Sequence, residues 1–183
     1  AAAHWARDTI NNMGSRMIIQ GTGGGNFSPD RNVTRAEFAA MIVRALGLGA
    51  ENGLSAFKDV NEADWYNGAI RTAHAYGLLS GFADGTFRPN DDITREQAMV
   101  ILSRAMEITG LKAKLPGDAA DAVLQTFADA AQASGWAIGG IADCVQAGIV
   151  SGRNGNMLAP LDAITRAEAA TMVERLLQKS DLI

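Results

Sequence analysis

The sequence predicts an all-α protein built from three helix–loop–helix repeats. Three observations carry this. Thr34-Arg35-Ala36-Glu37 returns as Thr94-Arg95-Glu96-Gln97 and as Thr165-Arg166-Ala167-Glu168. A tryptophan precedes each copy by the same 29 residues: Trp5, Trp65 and Trp136. Between copies the spacing varies, 60 residues and then 71. Units rigid inside and variable at their joints behave as structural repeats.

With the tryptophan as position zero, a first helix should begin about there and run some twelve residues. Ile10, Ile70 and Ile141 stand at plus five, and Met13, Ala73 and Cys144 at plus eight, which with the tryptophans gives one apolar face. Gly77 and Gly148 at plus twelve suit a left-handed helix end. Met17 takes that place in repeat one, so its helix is expected to end differently. Gly21, Gly81 and Gly152 follow at plus sixteen. A loop comes next, containing Asn26-Phe27-Ser28-Pro29, Thr86-Phe87-Arg88-Pro89 and Met157-Leu158-Ala159-Pro160. Ala83-Asp84-Gly85-Thr86 reads as a turn, and the Phe or Leu should plug the loop onto the core.

The second helix follows Val33, Ile93 and Ile164, which precede the threonines as staple residues. From the threonine, plus four, seven, eight, eleven and twelve are apolar in every copy: Phe38, Met41, Ile42, Ala45, Leu46; Ala98, Ile101, Leu102, Ala105, Met106; Ala169, Met172, Val173, Leu176, Leu177. That is amphipathic-helix spacing. Phe57-Lys58-Asp59-Val60 leads into repeat two and Phe127-Ala128-Asp129-Ala130 into repeat three. Repeat one has no such lead-in, and the chain is read as starting inside it. The expected division is 1–49, 50–110, an inserted 111–126 whose Ala119–Phe127 part could add a short helix, and 127–183.

The 183 residues are 48% hydrophobic and 20% charged, an ordinary globular composition. Single repeats of about sixty residues would have marginal cores, so the repeats should share one. A net charge of −4 argues against a nucleic-acid or anionic-membrane surface held by bulk charge. No apolar run approaches the roughly 20 residues of a membrane span. No signal-peptide pattern is read at Ala1, and a mature chain would lack one. One cysteine excludes an intramolecular disulfide framework. His4 and His74 occupy different positions in the unit, so no metal site is expected.

The repeated Thr-x-x-Glu/Gln reads as a capping box, with Thr34, Thr94 and Thr165 paired to Glu37, Gln97 and Glu168. Capping leaves the arginines unexplained. Arg35, Arg95 and Arg166 each stand at a helix start, where a cation is mildly unfavourable. Beside free helix N–H groups an arginine can hold a carboxylate in a bidentate way. The competing reading is a salt bridge to Asp30, Asp91 or Asp162. If the arginines bind an anion, their heads should be exposed and Arg95→Ala should leave the fold intact. The tryptophans are read first as core, with sugar stacking as the alternative.

Together these residues resemble a triplet of S-layer homology (SLH) domains. The resemblance rests on Phe-x-Asp-Val, the Trp and Ile, Gly77 to Gly81, Asp84-Gly85-Thr86-Phe87-Arg88-Pro89 and Ile93-Thr94-Arg95-Glu96-Gln97, and it covers nearly the whole chain. It implies a pseudo-threefold, three-pronged helical body that is monomeric and non-catalytic and needs no cofactor. Such a module sits outside the cell and anchors a surface-layer or cell-surface protein to a secondary cell-wall polysaccharide attached to peptidoglycan. The resemblance further implies inter-repeat grooves that take a terminal pyruvylated N-acetylmannosamine. Carried over, the contacts are Arg35, Arg95, Arg166, Trp65, Trp136, Ser80, Gly81, Asp84, Ser151, Gly152 and Arg153. Two rivals stand beside this: a helical-repeat module that binds a protein, and a glycan hydrolase, which would need two positioned carboxylates that the sequence does not single out.

Overall fold

The computed structural model describes residues 4–183 except 52, 118 and 119. Among these residues the regular structure is helical. The α-helices are α1 (Arg7–Ser15), α2 (Arg35–Ala45), α3 (Asn67–Ala75), α4 (Arg95–Thr109), α5 (Ala120–Leu124), α6 (Ile138–Gln146) and α7 (Arg166–Lys179). Strand-like pairing is confined to isolated bridges. The chain divides into two compact units, one of Ala1–Ile93 with Thr165–Thr171, the other of Thr94–Ile164 with Met172–Ile183.

In the first unit α2 packs on α3, and Val33, Phe38, Ile42, Ile70, Leu78 and Ile93 have no exposed surface. The expected apolar stripe of α2 is buried at Phe38, Met41 and Ile42, while Ala45 and Leu46 at its end are half-buried. Phe87 plugs its loop into the interior, whereas Phe27 is only half-buried.

In the second unit α4 packs on α6, and α5 on α6. All five predicted positions of α4 are buried, as are those of α7. The α4–α6 crossing is close because Gly140 lies against Val100: a Cβ there would stand 2.9 Å from the Val100 Cα. Cys144 is fully buried, its Sγ 3.3 Å from the Met99 carbonyl oxygen, and burial pushes its thiol pKa up. Asp143 accepts a 2.5 Å bond from the Ser103 hydroxyl and pairs with Lys112 at 3.1 Å. Within the 111–126 insertion the chain forms a 3₁₀ turn, Lys112–Lys114, and α5. Ala119, placed in the expected short helix, lies outside the described residues.

Two expectations change. The first helices begin two residues after the tryptophan and run nine residues, not twelve. A turn precedes each of them, closed by Arg7 N–H to His4 O, Asn67 N–H to Asp64 O and Ala137 N–H to Ser134 O. The tryptophans therefore stand ahead of the helical face and not on it. Their exposures of 66%, 64% and 61% overturn the core reading.

Repeat one also ends its first helix as the others do. Met17 takes φ 59°, close to 70° at Gly77 and 69° at Gly148. All three ends show the same pair of bonds. Met17 N–H reaches Gly14 O and Ile18 N–H reaches Met13 O; Gly77 reaches His74 and Leu78 reaches Ala73; Gly148 reaches Val145 and Ile149 reaches Cys144. This pairing satisfies the last helical carbonyls at the expense of one left-handed residue. A side chain there costs about 1–2 kcal/mol. Met17→Gly should thus raise stability by roughly 0.5–1 kcal/mol after the added chain entropy, read as a higher urea midpoint.

Candidate functional site

The three threonines do cap. Each Oγ1 accepts from the N–H three residues on at 3.2–3.3 Å, and Glu37, Gln97 and Glu168 return to the threonine N–H at 2.9–3.2 Å. The two N–H groups between are not open to an anion. Arg35 N–H donates to Asp91 O and Ala36 N–H to Pro89 O. Arg95 donates to Asp162 O and Glu96 to Pro160 O, and Arg166 to Arg31 O and Ala167 to Pro29 O. Each proline loop therefore closes the first turn of a helix from another repeat. The carbonyl of each repeated proline is one of the two acceptors.

The arginine heads are buried as well, which corrects the expectation of exposure. Relative exposures are 8% for Arg35, 4% for Arg95 and 3% for Arg166. Arg35 Nε donates to Phe87 O at 2.8 Å, with its guanidinium over the rings of Phe82 and Phe87. Arg95 Nη2 donates to Ser151 O at 2.6 Å. Arg166 makes three such contacts: Phe27 O at 2.9 Å, Gln20 O at 2.5 Å and Glu37 Oε1 at 2.8 Å. A planar donor fork suits several fixed acceptors at once. These heads fasten loops.

The other expected contacts fall into two groups. Asp84 holds its own turn, accepting from Thr86 N–H at 3.0 Å, Thr86 Oγ1 at 2.6 Å and Arg88 Nη2 at 3.1 Å. The Thr86 hydroxyl first, then its N–H and Arg88, hold the Asp84 carboxyl down to about 2. Gly81 and Gly152 permit close backbone passage: a Cβ would stand 2.6 Å from Thr86 O and 2.7 Å from Gly155 O respectively. Arg153 pairs with Asp162 and bonds Ala163 O. Ser80, Ser151, Trp65 and Trp136 are exposed.

The roles of two sets of residues lay outside the sequence reading. Asp59 Oδ1 and Oδ2 accept from the successive N–H groups of Phe87 and Arg88, both at 2.7 Å. Asp129 does the same for Leu158 at 2.6 Å and Ala159 at 2.8 Å. The aspartate of each lead-in thus clamps the residues just before the proline. Burial works to raise the Asp129 pKa, but the two N–H donors outweigh it and hold the carboxyl below its ordinary value. Glu37 is lowered likewise against burial, by the Thr34 N–H and by Arg31 and Arg166. Stability from such groups is full above the ordinary carboxylate range and is lost as pH falls through the lowered values. The urea midpoint should therefore fall between pH 5 and pH 2, and Asp129→Asn, which leaves one N–H without a carboxylate oxygen, should cost about 1.5–3 kcal/mol at pH 7.

The second overlooked residue is Arg44. It lines a cleft of about 230 Å³ in the first unit, together with Gln20, Gly21, Glu37, Ala40, Met41, Trp65 and Arg166. Arg44 is half-buried, and burial alone lowers its pKa. It has no ion-pair or hydrogen-bond partner among the described residues. Its signal was readable, for Arg44, Arg104 and Arg175 all stand ten residues after the repeated threonine. The equivalents are engaged: Arg175 donates to Ile149 O, and Arg104 also has a partner. The cleft therefore offers one available guanidinium, an exposed indole and an apolar floor of Ala40 and Met41. An anionic group on a small ring with an apolar face matches that arrangement.

Helix starts fastened by proline loops, three times over, define a triplet of one repeated module, and the chain belongs to the S-layer homology domain family, which matches it at residues 1–39, 56–99 and 126–170. Among its relatives is an amylopullulanase of Thermoanaerobacterium thermosulfurigenes, 41% identical over 97% of this chain. Exoglucanase XynX of Acetivibrio thermocellus is 39% identical and the surface-layer 125 kDa protein of Lysinibacillus sphaericus 33% identical, each over 97% of this chain. The matched stretch makes up 9%, 16% and 14% of those proteins. No helix among the described residues is long and apolar enough to cross a membrane.

Proposed function

We propose that the chain is the non-catalytic anchor of a longer cell-surface protein, held outside the cell by a secondary cell-wall polysaccharide attached to peptidoglycan. In this reading the cleft of the first unit receives the polymer's terminal pyruvylated N-acetylmannosamine. The carrying observation is Arg44, a half-buried cation with no partner among the described residues, lining the same cleft as exposed Trp65. The pyruvate ketal supplies one carboxylate for Arg44, and the sugar ring an apolar face for Trp65. Arg166 supports the site from beneath by fixing Gln20 and Glu37. Ser80 and Ser151 remain proposed polymer contacts, as does Trp136. The repeats occupy 1–49, 50–110 and 127–183, on a monomeric chain. Relatives named as enzymes would carry catalysis elsewhere in their length, and purified wall polymer should survive incubation with this chain uncleaved.

Calorimetry with synthetic pyruvylated N-acetylmannosamine, against the unpyruvylated sugar, tests the reading. Binding that requires the pyruvate is the expected result. Equal binding of both sugars would remove the carboxylate from recognition, and binding of neither would favour a protein partner for the same helical module.

A further inference from the structure

Asparagine followed by glycine recurs three times in the chain, at Asn52-Gly53, Asn67-Gly68 and Asn154-Gly155. In such a pair the glycine nitrogen, with no side chain of its own residue in the way, can attack the asparagine's side-chain carbonyl. The fold treats the pairs differently. Asn52 lies outside the described residues. Asn67 is the first residue of α3, only 6% exposed, and its Nδ2 donates to Glu62 O at 3.5 Å. Ring closure there requires the side chain to leave the interior and the helix start to unwind.

Asn154 and Gly155 are both exposed. Neither the Asn154 side-chain amide nor the Gly155 N–H has a hydrogen-bond partner among the described residues. Asn154 takes φ 45° and Gly155 φ 92°, a left-handed turn that asparagine enters more readily than most residues. Around the pair the loop is drawn tight. Arg153 and Met157 exchange both backbone bonds, at 2.7 and 3.1 Å, and close the chain over 154–156. Asn156 O accepts from Ala128 N–H at 3.0 Å, next to the Asp129 clamp. The matching turns hold no such pair. Repeat one has Gly23-Gly24 there and repeat two Ala83-Asp84, where the Asp84 carboxylate is held by Thr86 and Arg88.

We infer that Asn154-Gly155 is a site of spontaneous deamidation that opens the loop of repeat three. The Gly155 nitrogen bonds to Asn154 Cγ and the Cγ–Nδ2 bond breaks. Water carries the glycine proton to the departing nitrogen, which leaves as ammonia. A second water then opens the five-membered imide at one of its two carbonyls. Opening at the side-chain carbonyl gives aspartate on the original backbone. Opening at the main-chain carbonyl gives isoaspartate, with the backbone lengthened by one methylene. The sum is amide plus water to acid plus ammonia, with no oxidant or reductant. Either product adds a negative charge beside Arg153. Only isoaspartate lengthens the span that Arg153 and Met157 close, so their bonds and the one from Ala128 have to give way.

The test ages the chain at mildly alkaline pH, folded and in urea. Peptide mass spectrometry follows each pair, and enzymatic methylation counts isoaspartate. Folded Asn154 should convert within a few-fold of its rate in urea. Folded Asn67 should convert at least about tenfold more slowly than in urea, because a site that waits for local opening is slowed by the opening equilibrium. The species carrying isoaspartate at position 154 alone should melt about 2–4 °C below the fresh chain, the shift for one lost hydrogen bond at this chain length. Asn154→Asp, which carries the charge on an unaltered backbone, should melt within about 1 °C of the fresh chain. Conversion of folded Asn154 slowed as far as that of Asn67, or an isoaspartyl species that melts with Asn154→Asp, would overturn the inference.

Discussion

Arg166→Ala is expected to cost about 3–5 kcal/mol, the range for removing one partner of a buried charged network. The guanidinium is 3% exposed and satisfies Gln20 O, Phe27 O and Glu37 Oε1 together. It also lies 4.5 Å from the centre of the Phe27 ring. Alanine would leave two carbonyls without this donor and Glu37, beyond its capping bond from the Thr34 N–H, with Arg31 as its one cationic partner among the described residues, a side chain 44% exposed. Lysine should not restore the loss, since an ammonium cannot span three fixed acceptors with a planar fork. Urea unfolding at pH 7 measures this. A change below about 1 kcal/mol, the worth of an exposed ion pair, would mean that the guanidinium contributes only as a surface charge does.

Arg44→Ala should behave in the opposite way. Its head bonds nothing among the described residues, so its removal should change stability by less than about 1 kcal/mol. Loss of a charge-assisted contact to a carboxylate should weaken binding of the pyruvylated sugar by about 10–100-fold, equivalent to roughly 1.5–3 kcal/mol. Binding of the unpyruvylated control should hardly change. Arg44→Lys, which keeps the charge but not the fork, should fall between. Calorimetry and urea unfolding on the same preparations separate the two expected roles, Arg166 holding the fold and Arg44, in the proposed reading, holding the anion. Full sugar affinity in Arg44→Ala would move the carboxylate contact elsewhere.

These two arginines show what the sequence made legible. The capping boxes were readable because a cap is local: threonine and its partner stand three residues apart, and the bonds follow from that spacing. The fate of the arginine beside them was not. Its acceptors are backbone carbonyls 52 residues away for Arg35, 56 for Arg95 and up to 146 for Arg166. Carbonyls have no letter in the sequence, so an apparently surplus cation read as a ligand contact. Asp59 and Asp129 were hidden for the converse reason, since what they hold is N–H. Arg44 was visible as a second recurring arginine, but it sits between the apolar positions plus eight and plus eleven and passed as the wet side of a helix. The tryptophans were misplaced by a helix start wrong by two residues, enough to turn a side chain from the interior into solvent.

Most bonds that fasten one repeat's helix start to another's loop end on carbonyl oxygens: those of Asp91, Pro89 and Phe87, of Asp162, Pro160 and Ser151, of Arg31, Pro29 and Phe27. A carbonyl is the same whatever side chain its residue bears. The donor halves have accordingly kept near-identical letters while the loops have drifted to Asn-Phe-Ser-Pro, Thr-Phe-Arg-Pro and Met-Leu-Ala-Pro. Loop side chains other than the buried Phe87 and Leu158 can thus be rewritten with little effect on these fastenings, leaving the exposed part of each loop free to vary.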